Sequence, residues 1–298
     1  MKYSMGSHEI DSEQVGELRD SSTLLLDKDF EGLRGRMTED GYLLLRGLQS
    51  PEKVVAVRDY LLEQLSANEQ IDLDHPLEEG YIKAGARGGF MGGSKNLTRT
   101  PVFLDLVESP EIMGFFAEFL RSDVLTFDFK WLRVVGKGDN TGAHYDVVYM
   151  GRGTQNLYTV WTPITEVTST MGPLAILAGS HRGEGFERVR ETYGKMDVDR
   201  DRVTGYFSND PYEMIEKFGG QWQTSEFAPG DVLIFGMYTM HASFNNTGDR
   251  FRISCDTRYQ RASDPVDERW VGENPPAHYG WHSGETVTME TAREGWEV

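Results

Sequence analysis

Cysteine is nearly missing from this sequence: Cys255 stands alone. That excludes an internal disulfide and any cysteine-built metal cluster, and it fits a reducing compartment. Long apolar runs are missing as well. None approaches the ~20 residues needed to cross a bilayer, and the polar, acidic start lacks the apolar centre of a secretory signal. The expectation is a soluble, cytoplasmic protein with no membrane partner. Basic charge is scarce, with 30 Lys and Arg against 48 Asp and Glu and a formal net charge of −18. Such a field repels polyanions and speaks against a nucleic-acid partner. It speaks more weakly against a large anionic substrate such as an acyl-coenzyme A, because a local basic pocket can override net charge. Also absent are a Gly-x4-Gly-Lys-Ser/Thr phosphate loop, a Gly-x-Ser-x-Gly elbow and a cysteine nucleophile with a partner.

What is present is an ordinary globular composition, 38% hydrophobic and 26% charged over 298 residues, enough for one large domain or two small ones. Residues 1–25 read as a loose, acidic lead-in. Residues 30–37 are weakly helical, and 41–48 (Gly-Tyr-Leu-Leu-Leu-Arg-Gly-Leu) read as a buried strand bounded by glycines. Ser50-Pro51-Glu52 and Ser109-Pro110-Glu111 each supply a capping hydroxyl, a proline at the first helical position and an acid near the positive end of the dipole. They predict amphipathic helices running to about Ala67 and Leu120. After Ser122 the texture becomes short β-rich runs at 125–135, 147–150, 157–163, 174–177, 232–236 and 250–260, separated by turn residues, as in a sandwich or barrel. Residues 181–221 read as a mixed, polar insertion, and the tail from Ala262 as a wrap over the outside. The glycine-rich segment 85–93 reads as a flexible loop, with Lys83, Arg87 and Lys95 as solvated charges or ligand contacts.

The chemistry concentrates at His144-Tyr145-Asp146. On a strand, residues i and i+2 share a side, so an imidazole and a carboxylate are presented together. His241, just beyond the apolar run 232–236, offers a third ligand. Two histidines and a carboxylate on one face of a metal leave positions open for a cosubstrate and dioxygen, the arrangement used by non-haem iron(II) oxygenases. With seven histidines a chance His-x-Asp is ordinary, and the motif alone is weak. Asn245-Asn246-Thr247-Gly248-Asp249 is a strong turn signal, which predicts a hairpin joining the His241 strand to the Arg250 strand. A four-residue loop would then set Ser243 opposite Arg252, both inward with His241. Along the last strand Arg250, Arg252, Ser254, Asp256 and Arg258 alternate with Phe251, Ile253, Cys255 and Thr257. The polar face is either a solvated exterior or a polar barrel interior; in the interior, a buried arginine needs an anion, and a dicarboxylate cosubstrate supplies one.

With these pieces in order, the chain resembles the phytanoyl-CoA dioxygenase family of Fe(II)/2-oxoglutarate oxygenases over residues 36–260. The likeness opens at Thr38-Glu-Asp-Gly-Tyr-Leu-Leu-Leu-Arg-Gly-Leu48. It continues through His144-Tyr145-Asp146, Val160-Trp-Thr-Pro163, Met171-Gly-Pro-Leu174, Ala178-Gly-Ser-His-Arg182 and Phe227-Ala-Pro-Gly-Asp231, and ends at His241 with Arg252 eleven residues on. The resemblance implies a mainly β fold with flanking helices around a double-stranded β-helix (jelly-roll, cupin-like) core at about 123–260. It implies one oxygenase domain over 26–298, with the insertion at about 181–221. It implies Fe(II) on His144, Asp146 and His241, with 2-oxoglutarate held by Arg252 and Ser243. Thr159 and Trp161, at i and i+2 on a pocket strand, are cosubstrate contacts or core. His181 is structural. Because Asp146 is present, where halogenases of the family carry a small residue, hydroxylase-type oxidation of a C–H bond is implied, with release of succinate and carbon dioxide.

Two rivals stay open: a cupin hydrolase or isomerase using zinc or another metal on the same ligands, and a non-catalytic β-sandwich binding protein. His278, His282 and Glu285 form a weaker possible cluster. The aromatics Tyr81, Phe90, Tyr193, Tyr206 and Phe207 suggest a partly apolar small organic substrate, in secondary metabolism or a comparable setting, rather than a coenzyme A ester. The sequence is silent on oligomeric state.

Overall fold

A computed structural model describes residues 2–280 and 285–298. Its strands, in chain order, are β1 (Lys2–Met5), β2 (His8–Asp11), β3 (Gly16–Glu17), β4 (Tyr42–Leu45), β5 (Gly89–Phe90), β6 (Val124–Thr126) and β7 (Trp131–Val135). They continue as β8 (Thr141–His144), β9 (Tyr158–Pro163), β10 (Leu174–Ala178), β11 (Gln221–Thr224), β12 (Val232–Gly236), β13 (His241–Ser243) and β14 (Arg252–Arg261). Two sheets form the core: β3-β11-β10-β13-β8, and β4-β12-β9-β14-β7-β5 with β6 added along β14. This is the double-stranded β-helix, mainly antiparallel, with helices on one side.

Strand alternation sorts the side chains. From β4, β9 and β12, Leu43, Leu45, Val160, Val232 and Ile234 face out and pack with Ile112, Phe115, Phe116 and Phe119 of the helix Pro110–Leu120. From the same strands Tyr42, Leu44, Trp161, Leu233 and Phe235 face in and meet Leu174 and Ile176 of the opposite sheet. The helix Pro51–Ala67 covers Leu132, Val134, Ile253 and Cys255 through Val54, Val57 and Leu61. The helices Pro51–Ala67 and Pro110–Leu120 carry the anticipated serine caps: Ser50 accepts from the Lys53 N–H and Ser109 from the Ile112 N–H. Gly41 ends the helix Phe30–Asp40 at φ +79°, and a Cβ there would lie 2.6 Å from His181 Nδ1.

Several expectations need correction. The lead-in is not loose: β1 and β2 form a hairpin with Met5 and Ile10 fully buried, and β3 extends a sheet by parallel pairing with β11. Residues 147–150 are a short helix, Val147–Met150, not a strand, because the chain leaves the sheet at His144 to turn beneath the site. The turn at 245–249 does not make a hairpin. β13 pairs with β10 and β8, while β14 pairs with β9, β7 and β6 in the other sheet. Asn246 occupies the crossing, donating from Nδ2 to the carbonyls of Val135 and Arg250. The glycine-rich segment is tied down by β5 on β7. The tail is partly core, with Trp270 fully buried. The insertion is mostly short helices, and its last residue opens β11.

Candidate active site

β8 and β13 lie side by side with His144 directly opposite His241. Asp146 follows β8 in helical backbone, φ −66° and ψ −27°, so it reaches the histidines through the turn after the strand rather than by i, i+2 alternation. One ligand atom from each of His144, Asp146 and His241 lies within 4.8 Å of the others, and all three residues are buried. Each imidazole is oriented by its Nδ1: His144 on the Gly142 carbonyl at 2.8 Å, His241 on the Thr239 carbonyl at 2.9 Å. A carbonyl only accepts, so Nδ1 carries the proton and Nε2 keeps its lone pair. The two Nε2 atoms stand 3.8 and 3.9 Å from Asp146 Oδ1.

The other carboxylate oxygen is also occupied. Asp146 Oδ2 accepts from the Thr159 hydroxyl and from Arg258 Nη2 at 3.1 Å. Thr159 and Arg258 are cross-strand partners on β9 and β14, which explains why both reach one oxygen. Burial alone would raise the Asp146 pKa. Arg258, the two histidines and the Thr159 bond overcome it, and the carboxyl is held well below its ordinary range. Burial lowers both histidines, for His144 with added repulsion from His241. All three side chains are thus ligand-ready: neutral imidazoles and an ionised carboxylate.

Beside the triad, the polar face of β14 points inward from Arg252 on. Arg252 is 1% exposed; Nη1 donates to Ser254 Oγ at 2.7 Å and Nη2 to Ser243 Oγ at 3.4 Å. Its Nε has no partner, and no carboxylate of the described residues pairs with it. Burial, then repulsion from Arg133, pushes its pKa down to about 9. Trp161 lies with its ring 6.0 Å from this guanidinium, and its buried indole N–H is unpartnered. Ser243 and Arg252 therefore meet across the two sheets, not along a hairpin. Arg250 lies before the strand and reaches Glu166 at 4.0 Å instead.

Not all candidates gather here. His181 bonds the Thr38 carbonyl through Nε2. His278 bonds Asp199, and His282 lies outside the described residues. Lys95 bonds the Glu273 carbonyl. Phe90, Tyr206 and Phe207 line a cavity of about 1430 Å³ that opens onto His144 and Asp146, whereas Tyr81 and Tyr193 do not. Two residues went unassigned in the sequence reading: Arg258, which grips the ligand carboxylate, and Arg133 of β7. Their polar alternation on sheet strands was the available signal.

Residues 37–254 match the family model described as Phytanoyl-CoA dioxygenase (PhyH), and the chain belongs to that family. It is a non-haem iron, 2-oxoglutarate-dependent oxygenase. A 1-deoxypentalenic acid 11-beta-hydroxylase from Streptomyces exfoliatus is 28% identical over 258 residues, covering 81% of this chain and 84% of the relative. Among solved structures, the non-heme alpha ketoglutarate dependent epimerase SnoN from nogalamycin biosynthesis aligns over 88% of this chain and 93% of its own, at 17% identity and TM-score 0.55. EctD from S. alaskensis, with 2-oxoglutarate and 5-hydroxyectoine, aligns over 93% and 90%, at 18% identity and TM-score 0.55. At such identities the structural likeness speaks for the fold.

Proposed function

We propose that this chain hydroxylates a C–H bond of a small, largely apolar organic molecule, with iron(II) on His144, Asp146 and His241 and 2-oxoglutarate on Arg252 and Ser243. The observation that carries the assignment is a buried His-Asp-His cluster beside a buried guanidinium that no carboxylate of the described residues pairs. A fully buried cation is costly without a counter-ion, and the far carboxylate of 2-oxoglutarate is a planar acceptor suited to a guanidinium fork. The free indole N–H of Trp161 is a further donor for that group. When bound, iron(II) would let dioxygen act as the oxidant, with 2-oxoglutarate as the co-reductant that leaves as succinate and carbon dioxide.

The protein's part is positioning. Gly142 and Thr239 carbonyls aim the imidazoles. Thr159 and Arg258 hold Oδ2 of Asp146, leaving Oδ1 for the metal. Arg258 is itself fixed, with its guanidinium 4.1 Å from the ring centre of Trp131. Thr159 is thereby a positioning residue rather than a cosubstrate contact. A hydrolytic reading would want a free general base. Asp256 is engaged by Arg133 and Glu213 by Arg293, while Asp210 and Glu290 line the same cavity, so the oxidative reading rests on the buried Arg252 rather than on the lack of a base. The whole of 26–298 acts as one catalytic unit in the cytoplasm. Among the described residues, no helix is long and apolar enough to cross a membrane. The 11-beta-hydroxylase relative supports hydroxylation over other oxidative outcomes. The test is iron-dependent formation of succinate and carbon dioxide from 2-oxoglutarate. Its absence in folded, iron-supplemented protein, with wild-type and His241→Ala samples equal, would overturn the proposal.

A further inference from the structure

The cavity over the triad has an uneven chemistry. Phe90, Trp131, Tyr149, Met150 and Tyr206 contribute apolar surface, and three arginines stand in the same lining: Arg258, which grips Asp146, Arg293, which grips Glu213, and Arg133. Arg133 is 22% exposed at its side chain and gives only Nε to a protein partner, Asp256 Oδ2 at 3.2 Å. Its two terminal nitrogens have no hydrogen-bond partner among the described residues. Phe90, opposite it on β5, brings its ring within 5.2 Å of the guanidinium carbon and shields one side.

Charge balance says what those nitrogens lack. Around the centre, Arg133, Arg252 and Arg258 face two carboxylates, Asp146 and Asp256. Asp146 is gripped by Arg258, and Asp256 lies between Arg258 and Arg133. A divalent metal and a dianionic cosubstrate would cancel each other, so one positive charge is left over beside the cavity. Of the three, Arg133 is partly exposed and has both terminal nitrogens free among the described residues; Arg258, also in the cavity lining, leaves Nη1 without a hydrogen bond but is 2% exposed at its side chain, with Asp256 3.9 Å away.

We infer that the substrate is a carboxylic acid with an apolar body, its carboxylate on the terminal nitrogens of Arg133 and its hydrocarbon against Phe90, Trp131 and Tyr206. This rests on the oxygenase reading, which supplies the metal and cosubstrate in the balance. A planar fork suits a carboxylate, and the unused donors make the neutral analogue the poorer ligand. The rim sets an upper limit on charge. Asp210 and Glu290 also line the cavity, and with the net charge of −18 they repel a polyanion while the half-buried Arg133 retains a monoanion.

The test uses protein loaded anaerobically with iron(II) and 2-oxoglutarate. The probes are adamantane-1-carboxylate and dehydroabietate, each beside its primary amide, with binding followed by calorimetry and by perturbation of the visible chelate band. The expected result is at least one acid binding about tenfold or more tightly than its amide. Arg133→Met should abolish the preference and Arg133→Lys should keep part of it. Equal binding of acids and amides, no binding of any acid, or a preference that survives Arg133→Met overturns the inference while the chelate band stands. The acid-amide comparison on wild-type protein decides even if Arg133→Met fails to fold. Absence of the chelate band itself sinks the oxygenase reading instead.

Discussion

Replacing Arg252 by methionine should have opposite effects on cosubstrate binding and on the stability of the free protein. Arg252 is 1% exposed, holds two serine hydroxyls and has no carboxylate partner among the described residues. Burial, then repulsion from Arg133, pushes its pKa down to about 9, so the protein's own groups compensate the charge poorly. Exchanging such a cation for an apolar side chain of comparable length is expected to be neutral or stabilising. The melting temperature without 2-oxoglutarate should therefore hold or rise. Cosubstrate binding should collapse, because truncating one partner of a buried, hydrogen-bonded charge pair costs about 2–5 kcal/mol, or roughly 30- to 5,000-fold in Kd. Thermal unfolding with and without 2-oxoglutarate, in the presence of iron(II), reads both effects. At a hundredfold excess over its Kd a ligand adds about 2.7 kcal/mol of stability; wild type should show this and Arg252→Met should not. A variant several kcal/mol less stable on its own, yet binding 2-oxoglutarate within threefold of wild type, would refute the reasoning.

Other outcomes follow from neighbouring residues. Arg258→Met, only six positions along the same strand, should behave oppositely: it leaves Asp146 buried without its guanidinium and should cost about 3–5 kcal/mol in metal-free stability, checked by chemical denaturation. Thr159→Val removes one bond to a carboxylate and should weaken iron(II) binding by about 1.5–3 kcal/mol of interaction with little change in 2-oxoglutarate affinity measured at saturating iron. Trp222, fully buried, should cost about 3–5 kcal/mol when cut to alanine, seen as a lowered denaturation midpoint. Glu213 gives a pH test. Burial would raise its pKa, but Arg293, Ser208 and Lys217 bring it down to about 2 from 4.5. Its contribution is therefore complete above pH 4.5 and is lost as pH falls toward 2. Glu213→Gln should destabilise by roughly 2 kcal/mol at pH 7, allowing for partial exposure, and the gap to wild type should close on acidification.

Much of this architecture is legible in residue order. The serine-proline-acid starts locate the helices Pro51–Ala67 and Pro110–Leu120 because capping is local chemistry, and the strands 232–236 and 157–163 follow from apolar runs that a buried sheet requires. The cluster of His144, Asp146 and His241 is legible because few residue types can serve as metal ligands. What misleads is long-range pairing. The turn at 245–249 has hairpin chemistry, yet Asn246 uses its side chain to bridge two sheets, and no local signal tells a hairpin from a crossing. The i, i+2 argument for His144 and Asp146 reaches a sound pairing through the wrong backbone, since Asp146 sits in a helical turn. The inward direction of Arg258 and Asp256 is not legible either, because alternation gives a polar face without saying which side is solvent. Arg133 is harder still: its meaning depends on counting charges contributed by three arginines and two aspartates brought together by folding.

The most direct test of the central claim is an anaerobic titration of metal-free protein with iron(II) and then 2-oxoglutarate, following the weak visible charge-transfer absorption of the chelate. The predicted result is a band in wild type that is absent in His241→Ala and needs far more 2-oxoglutarate in Arg252→Met. A folded, iron-loaded wild type that shows no band at saturating 2-oxoglutarate would contradict the account.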